Sequence, residues 1–306
     1  MKSTHTRTSP PAALLVVLVM AASTVSALEP VEPVSATEAF ELPQPEADEI
    51  IAYGPDARHY GELRLPDGEG PFGVAVIVHG GCWLSAYDQG YMAAFAEAVT
   101  ALGWATWTIA YRRVGETGGG WPNTFLDAAA AVDHLPELAA SHPLDLDRVV
   151  TVGHSAGGHL ALWLAARPRL AETSPLYRPR PQPVGGVLAL AAAADLEFLS
   201  AQESCDNAAT LLMEGTPLDH PDRYADGSMM GMVPLGLPQI LVNGELDDTW
   251  SAPADRYYLA AAAAGDSVEK RIMPDAGHFE LVIPDSVHWD VVRKALVDLG
   301  QALADN

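Results

Sequence analysis

From residue 73 onward the chain alternates between short apolar runs and Ala-rich helical segments, and this alternation constrains the fold more than anything else in the sequence. Gly73–Val78, Trp104–Ala110, Arg148–Val152, Gly186–Leu190, Gln239–Val242 and Val268–Met273 read as strands. Asn123–Leu138, Ala156–Ala166, Ala254–Ala264 and Asp285–Ala304 read as helices. Near-continuous apolar runs of this length mark parallel strands covered on both faces. The expected class is therefore α/β, an open, mostly parallel sheet with helices on both faces. Sites in such sheets lie beyond the carboxyl ends of the strands. The stretch from about 195 to 236 breaks the alternation, with turn residues, Cys205 and the methionines 229, 230 and 232. It reads as a small cap insertion or as an ordinary surface connection.

Four motifs follow strands directly. Gly153-His154-Ser155-Ala156-Gly157 is a G-x-S-x-G sequence between a β-run and an Ala/Leu-rich helix. In that context the serine sits on a sharp turn, its hydroxyl raised above the sheet, and the free N–H groups of the helix start face developing negative charge. Ser155 is thus the candidate nucleophile, and the Ala156 N–H a candidate oxyanion donor. His79-Gly80-Gly81-Cys82-Trp83 offers a second backbone donor, from Gly81 or from Cys82, while His79 is expected to hold the loop through a hydrogen bond. Asp275-Ala276-Gly277-His278-Phe279 supplies His278, whose ordinary imidazole chemistry suits proton transfer near neutrality. His154 is expected to point away from the nucleophile, and His288 falls in the last helix region. Asn243-Gly244-Glu245-Leu246-Asp247-Asp248 offers two adjacent carboxylates to orient the imidazole, with Asp195 an outside alternative. The order serine, acid, histidine along the chain is one that such sites use. The ten histidines form no metal-ligand spacing, so neither a metal nor a cofactor is assigned.

Composition excludes some partners. The 306 residues are 49% apolar, enough for a substantial core in one catalytic domain. Asp and Glu number 40 against 17 Lys and Arg, which argues against nucleic acid as a partner. The N-terminus has the form of a secretory signal: Lys2 and Arg7, an apolar run from Ala12 to Ala22, and small residues Val25-Ser26-Ala27 before a cleavage point. Residues 1–27 are thus expected to be removed, giving a secreted or periplasmic protein without stable membrane association. Residues 28–47, rich in Pro and Glu, read as an extended leader, and residues 48–306 as the catalytic domain. In an exported chain Cys82 and Cys205 are either a disulfide or two buried thiols.

His79–Trp83, Tyr111-Arg112-Arg113, Gly119-Gly120-Trp121-Pro122, Gly153–Gly158 and Gly277-His278-Phe279 together resemble the small-molecule branch of the α/β-hydrolases. That branch includes feruloyl and acetyl-xylan esterases, carboxylesterases and kynurenine-formamidase-like enzymes, and is related to prolyl oligopeptidases. The resemblance implies an α/β-hydrolase fold over roughly residues 50–306. It also selects Asp247 as the acid, because Asn243–Asp247 matches the pattern H-G-x-x-D with Asn in place of His. Trp250 and Ser251 stand where that pattern has Val-Pro. The implied activity is hydrolysis of small or carbohydrate-linked acyl esters through an acyl-enzyme. Amide or formamide hydrolysis, a small single-domain peptidase and a catalytically silent scaffold are the alternatives. Trp83, Tyr87 and Trp121 are the candidate pocket walls.

Overall fold

Eight strands form a single sheet in the computed structural model, which describes residues 1–3 and 32–305. The expected signal sequence lies almost wholly outside the described residues. Strands β1 (Glu49–Ala52), β2 (Tyr60–Arg64), β3 (Phe72–Val78), β4 (Ala105–Ile109), β5 (Leu144–His154), β6 (Gly186–Leu190), β7 (Gln239–Gly244) and β8 (Val268–Met273) lie in the order β1-β2-β4-β3-β5-β6-β7-β8. The pairings β1–β2 and β2–β4 are antiparallel, and all others are parallel. The helices are α1 (Ala36–Phe40), α2 (Ala93–Ala101), α3 (Asn123–Asp133), α4 (Leu135–Ala139), α5 (Ala156–Ala166), α6 (Leu196–Ala201), α7 (Ser204–Met213), α8 (Pro221–Gly227), α9 (Ser251–Ala263) and α10 (Asp290–Ala304).

The period of two in β3 shows why both faces are covered. Val74, Val76 and Val78 enter one apolar cluster with Trp107, Phe125, Leu160 and Trp163, under α3, α5 and α9. Ala75 and Ile77 enter the other, with Phe95, Val152, Leu188 and Leu296, under α2 and α10. On α10, Val292, Ala295, Leu296 and Leu299 are buried, the spacing that gives a helix one apolar face. A bulge between Gly73 and Val74 lets β5 begin four residues earlier than its apolar run suggests, since Gly73 pairs with Asp145 and Val74 with Val149.

Several expected elements differ in extent. The helix expected over 123–138 is broken at His134, where Pro136 opens the short α4. The last helix begins at Asp290, five residues later than its acidic start at Asp285 suggests. Residues 196–227 fold into α6, α7 and α8; Leu212, Met213 and Tyr224 join the main apolar cluster. The segment read as an extended leader is ordered in part. Ser35 and Glu38 form a capping box around α1, Val34 N–H donates to Glu280 Oε1 at 2.6 Å, and Arg64 Nη2 donates to Pro45 O at 2.8 Å.

Candidate active site

The loops after β3, β5, β7 and β8 meet at one edge of the sheet, because these strands are mutually parallel. Ser155 stands between the end of β5 and the start of α5, with φ 57° and ψ −121°. This is a left-handed, strained turn that a serine adopts only under constraint. The constraint is visible in its neighbours. A Cβ on Gly157 would come within 2.1 Å of Val78 O, so only glycine lets the turn press this close to β3. Ala156 is the first residue of α5, and its N–H has no acceptor within the helix.

His278 Nδ1 and Asp247 Oδ2 are 2.7 Å apart. Asp247 is 5% exposed and its Oδ1 accepts the Trp250 N–H at 3.1 Å, whereas Asp248 is exposed. Burial therefore separates the two adjacent carboxylates in favour of Asp247. The Trp250 ring lies 5.4 Å from the His278 ring, so the departure from Val-Pro at this position supplies a wall beside the imidazole. Asp195 is buried elsewhere: it caps α6 through the Phe198 N–H and pairs with Arg256 at 2.6 Å. His288 lies in the turn before α10, away from the cleft.

His154 has both ring nitrogens engaged beneath the site. Tyr91 Oη accepts the Gly80 N–H at 2.7 Å and donates to His154 Nδ1 at 2.9 Å, and His154 Nε2–H donates to His278 O at 3.0 Å. One chain of hydrogen bonds thus ties the glycine loop to the backbone of His278. Burial, and next the neighbouring His278, hold His154 well below the usual imidazole pKa, so it stays neutral. His79 also serves structure. Its Nδ1–H donates to Gly80 O at 2.8 Å, its ring stacks on Tyr111 at 4.4 Å, and burial pushes its pKa down to about 4.

The Tyr111-Arg112-Arg113 sequence fastens this region from outside. Tyr111 Oη donates to His79 O at 2.9 Å. Arg112 grips Asp127 of α3 with two bonds of 2.7 Å. Arg113 pairs with Glu116 and donates to Tyr87 O, fixing the loop that carries Tyr87.

The cleft above Ser155 has a volume of about 170 Å³. Gly81, Cys82, Tyr87, His154, Ser155 and His278 line it, and of the three expected pocket walls Tyr87 is among them. Trp83 and Trp121 do not, and those two assignments are corrected. Trp83 is 1% exposed and meets His159 edge-on at 5.4 Å; Trp121 packs on Phe125 at 5.5 Å with Arg223 across its ring. Both serve the core, the commoner fate of a large aromatic beside a loop. The lining also includes Ala36, Phe40, Cys205, Trp250 and Phe279, none of which the sequence reading assigns to the pocket. Cys205 is bonded to Cys82 in a disulfide, which joins the glycine loop to α7. Among the described residues no three His, Cys, Asp or Glu side chains converge where a metal could sit.

Residues 62–253, more than half of the chain, match the model of the BD-FAE family. No curated protein sequence matches significantly. Among solved structures, esterase B of Lactobacillus rhamnosis is similar at 19% identity and TM-score 0.72, over 88% of this chain and 90% of that one. A truncated carbohydrate esterase from gut microbiota is similar at 17% identity and TM-score 0.70, over 82% of this chain and 95% of that one. A bacterial heroin esterase is similar at 24% identity and TM-score 0.65, over 83% and 84% respectively. The sheet is the open one those likenesses imply, and the match over residues 62–253 settles the relationship: the chain belongs to the BD-FAE family and has the α/β-hydrolase fold.

Proposed function

We propose that the protein is a serine hydrolase of small or carbohydrate-linked acyl esters, acting through an acyl-enzyme. The observation that carries this reading is the 2.7 Å pairing of His278 Nδ1 with the buried Asp247, in a cleft that Ser155 also lines. With Nδ1–H donated to the carboxylate, Nε2 is the imidazole's free acceptor. Ser155 Oγ attacks the ester carbonyl and gives its proton to that nitrogen. The carbonyl oxygen, now negative, is held by the Ala156 N–H and by a backbone N–H of the Gly81–Cys82 loop. Collapse expels the alcohol with the proton from His278. Water then repeats the sequence to release the acid and restore Ser155. The esterases among the similar structures support ester rather than amide bonds as the substrate. Export fits the N-terminal sequence and the Cys82–Cys205 disulfide, since such bonds persist in oxidising compartments.

A fluorophosphonate probe tests the mechanism. Wild type should be labelled and should cleave short-chain aryl esters, and Ser155→Ala should lose both. Folded wild-type protein that neither labels nor turns over would reject the assignment.

A further inference from the structure

One wall of the cleft comes from the N-terminal segment, outside the matched family region of residues 62–253. Ala36 and Phe40 both line the cavity. Phe40 is held by three rings from other parts of the chain: Tyr87 stacks on it at 5.1 Å, Tyr91 meets it edge-on at 4.9 Å, and Phe279 at 6.0 Å. Two of these neighbours, Tyr87 and Phe279, themselves line the cavity.

The segment is fastened to the site at the backbone as well. Glu280 is buried and uses its two oxygens on two chains of command: Oε1 accepts the Val34 N–H at 2.6 Å, and Oε2 accepts the Gly277 N–H at 3.0 Å. One carboxylate therefore couples the N-terminal segment to the turn that presents His278. The fit is close, since a Cβ on Gly277 would lie 2.4 Å from Pro33 Cβ. The glycine before His278 is required by the passage of the segment over it.

We propose that Pro33–Phe40 is a specificity element, which closes the cleft around the apolar half of the ester and limits it to about one aromatic ring or an acyl chain of similar bulk. The size follows from the volume. A cavity of about 150 Å³ lined by apolar side chains holds a benzene molecule, and this cleft measures about 170 Å³. The lining chemistry agrees, because Phe40, Tyr87, Trp250 and Phe279 offer ring faces and the disulfide adds apolar sulfur. This inference rests on the ester-hydrolase reading and adds to it which residues set the size of the substrate.

Two variants of the full chain test it. Phe40→Ala removes the wall, and Ala36→Leu, at an exposed position on the rim, narrows the opening without touching the core. The readout is kcat/KM on aryl acetate, butyrate and octanoate, and on phenyl and naphthyl acetates, beside fluorophosphonate labelling of Ser155. Phe40→Ala is expected to raise the octanoate-to-acetate or naphthyl-to-phenyl ratio about tenfold, and Ala36→Leu to lower it. Both ratios staying within about twofold of wild type in both variants, with Ser155 still labelled, overturns the assignment of the wall alone. Absence of labelling in wild type overturns the hydrolase reading and this inference with it. If Phe40→Ala does not fold, the Ala36→Leu ratios decide.

Discussion

Lowering the pH from 7 to 5 is expected to destabilise the fold through buried histidines that have no access to a proton. His79 and His159 are fully buried, and burial pushes each from an ordinary imidazole pKa of 6.5 down to about 4. At His79 the Arg113 charge adds to this, and the bond to Gly80 O opposes it. The unfolded chain binds a proton at each site near pH 6.5, while the folded chain does not until about pH 4. Their contribution is therefore intact above the unfolded pKa, is lost as pH falls from about 6.5 toward 4, and is gone below that. Integrated to pH 5, each site costs roughly 2 kcal/mol, against a typical total of about 5–15 kcal/mol. The opposing effect is relief of self-repulsion as some of the 40 acidic residues become protonated, which is why the comparison must be with a variant and not with wild type alone. His159 uses Nε2 on Gly227 O and His79 uses Nδ1 on Gly80 O, so His159→Gln and His79→Asn best imitate the nitrogen in use. Urea unfolding followed by tryptophan fluorescence at pH 7, 6 and 5 gives the loss for each protein. Each variant should lose about 2 kcal/mol less than wild type between pH 7 and 5. Parallel pH profiles for wild type and variants would refute the argument, because the histidines would then titrate alike in both states.

Two further outcomes follow from single contacts. Asp247→Asn should lower kcat on aryl esters by about 10³–10⁴-fold with the fold intact, since an amide in place of the carboxylate favours the wrong imidazole tautomer, whereas Asp248→Asn should fall within about twofold of wild type; steady-state kinetics of the pair check this. Cys205→Ser opens a link between residues 123 positions apart and should reduce stability by about 2–5 kcal/mol, read by thermal unfolding, while raising KM because both cysteines line the cleft.

The parts of the fold that were legible are those whose burial is written locally. β6, β8 and α5 fall on the residues expected: β6 and α5 are almost wholly apolar runs, and β8 is closed by Pro274. β1 and β2 were not legible. Glu49–Ala52 is largely exposed, and Tyr60–Arg64 mixes charge with apolar residues, so neither presents the apolar run that marks a central strand. β1 is the edge strand, paired antiparallel to β2, and β2 in turn pairs antiparallel to β4, a partner about 45 residues away in sequence. The pocket aromatics divide on the same ground. Tyr87 reaches the cleft because Arg113 fixes its backbone, while Trp83 and Trp121 turn inward onto His159 and Phe125. Nothing in the immediate neighbourhood of the three residues distinguishes them.

The site itself obeys this division and shows why it arises. Ser155, Asp247 and His278 stand in loops just past parallel strands, where sheet pairing reaches only the first loop residue or so, as in the Ser155 N–H to Leu190 O bond at 2.8 Å. Backbone carbonyls meet the N–H groups of Glu245, Leu246 and Asp247, and several other loop groups are met by side chains brought from elsewhere, since a buried backbone group without a partner costs about 1–3 kcal/mol. Tyr91 serves Gly80, His154 serves His278, Tyr111 serves His79, and Glu280 serves both Gly277 and Val34. The proposed reacting groups are recognisable from sequence because their chemistry fixes residue type and local spacing. Their supports are not, because any donor or acceptor of the right reach will do, from any point on the chain. Phe40 is the limiting case: one aromatic residue in a Pro- and Glu-rich stretch, with no periodicity around it, whose place becomes evident only when Tyr87, Tyr91 and Phe279 are seen to surround it. Residue type and spacing thus locate the proposed reaction in this chain, while the walls of its cleft are set by contacts between distant segments.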